Sequence, residues 1–168
     1  MEKLLKELIG EKVTYSRVGF GTILLVKVHN GNRVWVWNYW EIWRGEELLA
    51  TANDESTPMM SVAAQTLLGE TVEEVYLNEN YNLMMFFSNN LELYIYRNGW
   101  GEDDYKIDES WEYSIPHLNK SYTVMRNKEI KIYRMKKKLM SYMMSRFRYH
   151  EIEEFIHDFI LLLFSFHK

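Results

Sequence analysis

Seven residues able to stack on rings or hold anions fall within the twelve positions from 33 to 44: Arg33, Trp35, Trp37, Tyr39, Trp40, Trp43 and Arg44. Indoles and phenols offer flat faces to nucleobases, at about 1–3 kcal/mol per stacked base, and a guanidinium both stacks and forks onto phosphate. Tyr94, Tyr96 and Arg97 form a partial second set, with Trp100 nearby. Lys136, Lys137 and Lys138, flanked by Lys131, Arg134, Arg146 and Arg148, concentrate the positive charge that phosphate requires. The expected ligand is therefore nucleotide-like, and the expected site is the aromatic run with Arg33 and Arg44, joined by Tyr94, Tyr96, Arg97 and the lysine triplet. The competing reading is structural, because aromatic stripes are commonly core and lysine runs commonly solvate a helix.

Other chemistry is less well represented. The chain has no Gly-x-Ser-x-Gly, Walker lysine loop, Gly-x-Gly-x-x-Gly or His-Glu-x-x-His. His150, Glu154 and His157 stand at i, i+4 and i+7, a spacing that serves a metal site or an ordinary solvated helical face. Glu102, Asp103, Asp104, Asp108, Glu109 and Glu112 form an acidic stretch beside Gly99 and Gly101. It suits paired-carboxylate chemistry, a divalent cation, a solvated loop, or a surface that grips a basic protein as an immunity protein grips a toxin. No catalytic residue, metal or cofactor is assigned on this basis.

Composition narrows the classes further. With 168 residues, 47% of them hydrophobic and only two prolines, the chain can bury a core and is expected to form a single compact domain. The absence of cysteine excludes disulfides and thiolate chemistry and agrees with a reducing compartment. Met1 to Glu7 is too charged for the apolar part of a signal peptide, and Phe155 to Phe166 is too short to span a bilayer, so a cytoplasmic protein without membrane contact is expected. The net charge of −4 is uneven: residues 120–150 hold ten basic side chains against one acidic. Acidity overall and the lack of a recognisable nucleic-acid motif argue against extended nucleic acid. The apolar Phe155–Phe166 stretch favours a homo-oligomer.

The elements that must position these side chains are set by an internal repeat. Leu8 to Asn38 aligns with Leu67 to Arg97 at a constant offset of 59 residues, with Leu8/Leu67, Gly10/Gly69, Glu11/Glu70, Val13/Val72, Leu24/Leu83 and Asn30/Asn89 identical. Each copy opens on a short apolar helix stopped by glycine, the residue that tolerates a left-handed turn. Three strands follow in each: 12–18, 22–29 and 33–40, then 71–77, 81–88 and 91–97. Their alternation predicts a core face of Leu24, Val26, Val28, Val34 and Val36, matched by Leu83, Met85, Phe87, Leu93 and Ile95. A hairpin over 122–125 and 130–133 extends the sheet, and helical spacing over 135–148 and 150–166 predicts a pair of helices covering the aromatic face.

Trp43-Arg44 after an aromatic strand, Leu67-Leu68-Gly69-Glu70 with Val72, the Phe86-Phe87-Ser88-Asn89-Asn90 hairpin and Glu109-Ser110-Trp111-Glu112 together resemble small bacterial and phage β-rich domains of unknown function with two sheet units, across roughly residues 8–125. The resemblance implies architecture and no activity. The expected fold is α+β: two tandem antiparallel units spanning repeats 1–44 and 58–115, then a C-terminal hairpin and helices over 120–168. The expected function is non-catalytic sequestration of a nucleotide-type small molecule, such as a bacterial immune second messenger captured by a phage protein. The alternative is an immunity-like protein whose acidic loop inhibits a basic partner.

Overall fold

Alternation of apolar and polar residues, punctuated by Asn and Gly turns, makes strand the dominant local state. The computed structural model describes residues 1–19, 22–54, 57–98 and 108–134. The chain divides into units Met1–Tyr133 and Arg134–Lys168, and the first carries the fold described below. Its elements are α1 (Glu2–Leu5), β1 (Val13–Val18), β2 (Leu24–Val28), β3 (Arg33–Val36), β4 (Trp40–Arg44), β5 (Glu47–Thr51), α2 (Thr57–Gln65), β6 (Val72–Leu77), β7 (Leu83–Phe87), β8 (Leu91–Ile95), β9 (Glu109–Ile115), β10 (Lys120–Met125) and β11 (Ile130–Arg134).

The strands form two antiparallel sheets, ordered β1-β2-β3-β9-β10-β11 and β5-β4-β8-β7-β6. Within each repeat the first three strands make a meander at the expected offset: β1 and β6, like β2 and β7, start and end 59 residues apart. Even the irregularities repeat. The register slips between Val13 and Tyr15 in one copy and between Val72 and Glu74 in the other.

The fourth strand does not stay with its own meander. After β3 the chain turns at Trp37–Tyr39, and β4 pairs with β8 of the second copy, while β9 of the second copy pairs with β3 of the first. Each sheet is thus completed by a strand from the other repeat, and each borrowed strand brings its own hairpin partner, β5 or β10. The continuous strand expected over 33–40 is therefore incorrect. Asn38 makes the break: its side chain accepts a hydrogen bond from the Tyr39 N–H at 2.7 Å and donates to the Arg97 carbonyl at 3.1 Å, replacing ladder bonds at the crossing.

The copies also meet directly where they begin. Gly10 N–H donates to the Val72 carbonyl at 2.8 Å and Gly69 N–H to the Val13 carbonyl at 2.9 Å, a reciprocal pair about a local two-fold. Both glycines stand at positive φ, +85° and +82°, which ends the preceding helical turn and aims the chain into β1 or β6.

Both inner faces share one core containing Leu24, Val26, Val34 and Val36 from one sheet and Leu83, Met85, Leu93 and Ile95 from the other, as the alternation predicts. Leu8 and Leu67 seal the ends. The largest contributors are Trp40 and Trp111, both fully buried. Each indole removes on the order of 200 Å² from water, roughly 5 kcal/mol of transfer free energy.

The α+β assignment is corrected by this arrangement. Among the described residues the fold is mostly β, with two short helices, because residues 40–51 and 109–134 add five strands beyond the two meanders. The expected C-terminal helical pair lies outside the described residues. Among the described residues, no helix is long and apolar enough to cross a membrane.

Candidate functional site

Strand exchange separates the aromatic run that looks continuous in sequence. Arg33, Trp35 and Trp37 lie on the outer face of the six-stranded sheet. Tyr39, Trp43, Tyr94 and Tyr96 lie on the outer face of the five-stranded sheet. Trp40 belongs to neither, since it faces the core with no exposed surface and its Nε1–H donates to the Thr22 carbonyl at 2.7 Å. Its place among the candidate ligand-binding residues is therefore corrected to a structural one.

The six-stranded face is built by strand pairing. Tyr15, Lys27, Arg33 and Ser114 stand in one row across β1, β2, β3 and β9, and Arg17, Leu25, Trp35, Glu112 and Thr123 in the next. Trp35 and Trp37 follow Arg33 at two-residue spacing, and their rings are parallel to within 6° with centroids 6.4 Å apart. Three cations and three aromatic rings thus share one surface, with Trp35, Trp37, Lys27 and Tyr15 half-buried and Arg17 exposed. Lys27 is held below its ordinary pKa by burial and by the neighbouring Arg33 charge. Burial also weighs on the charge of Arg33, and Glu112 opposes that effect. Glu112 itself is buried, accepting hydrogen bonds from Ser114 Oγ at 2.7 Å and Thr123 Oγ1 at 2.9 Å. It is a strand residue within the sheet and not part of an acidic loop.

The five-stranded face has the opposite sign. Thr51, Glu41, Tyr94, Met84 and Tyr76 form one row, and Trp43, Glu92, Phe86 and Glu74 another. The Glu41 carboxylate accepts from Tyr39 Oη at 2.9 Å, Trp43 Nε1 at 3.0 Å and Tyr96 Oη at 3.2 Å, and Glu92 accepts from Tyr94 Oη. The Tyr94 phenol is pushed up to about 12 by its hydrogen bond to Glu92 and then by burial. Tyr96 also reaches about 12, through burial and then Glu41.

Repeat-related positions explain the contrast. Trp35 and Trp37 correspond to Tyr94 and Tyr96, so aromatic character is kept, whereas Arg33 corresponds to Glu92 and Lys27 to Phe86. One scaffold has been given two chemistries.

The remaining candidates are dispersed. Arg44 is exposed at the end of β4, where its charge acts on Glu70. Arg97 is occupied by fold contacts, its Nε donating to the Asn80 carbonyl at 2.8 Å. Lys136, Lys137, Lys138, Glu102, Asp103, Asp104, His150, Glu154, His157 and Phe155–Phe166 lie outside the described residues. Among the described residues no group of three His, Asp or Glu side chains is placed to hold a metal. Sequence reasoning missed Tyr15, Arg17 and Lys27, which become neighbours of Arg33 and Trp35 only through pairing. It also missed Glu41 and Glu92, although both alternate with core residues. The chain matches no protein-family model, no curated protein and no solved structure at a significant level.

Proposed function

We propose that the protein is a non-catalytic binder of a nucleotide-type small molecule, held on the outer face of the six-stranded sheet. One observation carries this reading: a parallel indole pair, Trp35 and Trp37, shares a face with Arg17, Lys27 and Arg33. A sheet surface with adjacent aromatics is a known platform for nucleobases, with about 1–3 kcal/mol available per stacked base. Burial and then the Arg33 charge disfavour the charged form of Lys27, and a phosphate beside both side chains favours it. These groups supply recognition through flat surfaces and fixed positive charge. The biological role that fits is capture of a nucleotide signal without turnover.

Isothermal titration against mono-, di- and cyclic nucleotides tests the reading. Saturable heat with at least one nucleotide is expected, weakened tenfold or more by Trp37→Ala and by Lys27→Glu. Absence of heat across the panel, or an affinity in both variants equal to that of the unsubstituted chain, overturns it.

A further inference from the structure

The geometry points to a second recognition face: the outer surface of the five-stranded sheet binds an arginine-bearing segment of a partner protein, with Tyr39, Trp43, Tyr94 and Tyr96 as its platform and Glu41 and Glu92 as its anions. The argument begins with charge. The outer rows of β4, β8, β7 and β6 carry Glu41, Glu92 and Glu74 and no lysine or arginine. Among the described residues neither Glu41 nor Glu92 has an ion-pair partner, although both are half-buried between rings. Phenol and indole donors orient these carboxylates but leave their charge in place. After the Glu92 hydrogen bond and burial for Tyr94, and after burial for Tyr96, the charges of Glu92 and Glu41 also raise these phenols.

The rings add the second half of the match. Tyr39 and Tyr96 pack with centroids 5.5 Å apart and Tyr94 meets Phe86 edge-on at 6.3 Å, so neighbouring rings of the platform brace one another. Guanidinium stacks on such faces while its N–H fork meets carboxylate, which an ammonium does less well. Five strands at spacings of about 4.8 Å make the surface roughly 19 Å wide. Small cations are selected by concave cages, whereas a wide, half-exposed sheet face suits a protein surface. Charge complementarity therefore identifies the occupant as a basic protein segment. The site is independent of the nucleotide face on the opposite sheet.

Fluorescence anisotropy with a labelled ten-residue peptide of alternating arginine and glycine provides the test, using the full chain at low and at physiological salt. Saturable, salt-sensitive binding is expected, reduced at least tenfold by Glu92→Gln and by Trp43→Leu and unchanged by Glu2→Gln, a charge loss elsewhere. Glu92→Gln keeps a hydrogen-bond acceptor for Tyr94, so a folded variant is available even if Trp43→Leu is unstable. No binding, equal binding by the Glu92 variant, or displacement of the peptide by an equal concentration of spermidine would overturn the proposal.

Discussion

Trp40 and Trp111 are mates in a repeat that the linear alignment does not join: the first donates its indole N–H to the Thr22 carbonyl at 2.7 Å and the second to the Tyr81 carbonyl at 2.9 Å. Thr22 and Tyr81 are 59 residues apart, but the two tryptophans are 71 apart. Each indole sits on a borrowed strand and ties its sheet to the first hairpin of the other. The exchange of β4 and β9 is thereby fastened at two symmetric points.

Trp40→Phe and Trp111→Phe should therefore destabilise the fold by similar amounts, about 2–4 kcal/mol each, through lost core volume and the loss of the indole hydrogen bond to a half-buried carbonyl. Chemical denaturation measures this. A marked inequality between the two would contradict their equivalence.

Gly10 and Gly69 give a second symmetric test. A Cβ at either position meets nothing within 4 Å, so the cost of alanine is confined to the positive φ. Gly10→Ala and Gly69→Ala should each lose about 1 kcal/mol, read from shifts in denaturation midpoint.

Much of this architecture was legible locally. The strands of both meanders, the glycine stops and the core alternation follow from residues within a few positions of one another. The strand exchange does not, because which strand pairs with β3 is decided by contacts between residues such as Trp35 and Glu112, far apart in sequence. The repeat was lost after Arg97, where the connection in the second copy is twelve residues longer. A signal did exist across the gap: Trp40-Glu41 and Trp111-Glu112 are the same dipeptide. Exchange also explains why the site was only half legible. Residues 33–37 and 39–44 seem one cluster until the chain crosses between sheets at Asn38.

The phenols offer a pH test. Tyr94 and Tyr96 lose their protons near pH 12 in the folded chain, against an ordinary value of 10.0. The unfolded chain releases these protons first, so their contribution to stability is complete below pH 10 and is lost as pH rises from 10 towards 12. Ultraviolet phenolate titration should show Glu92→Gln lowering the Tyr94 midpoint towards 10 and Glu41→Gln lowering that of Tyr96 by less, because burial is the larger cause there.

Arg33 and Glu112 separate stability from binding. Arg33→Gln removes positive charge that offsets the buried Glu112 carboxylate and should cost about 2–4 kcal/mol. The double variant Arg33→Gln with Glu112→Gln should recover most of that stability in thermal melts. Its nucleotide affinity should remain reduced, because the face still lacks the guanidinium.

The most direct measurement follows the indole N–H signals of the tryptophans by two-dimensional NMR during nucleotide addition. Saturable shifts at Trp35 and Trp37, with Trp40, Trp43 and Trp111 unmoved, are the predicted result. Shifts at Trp43 with Trp35 and Trp37 unmoved, or no shift at any indole across the nucleotide panel, would contradict it.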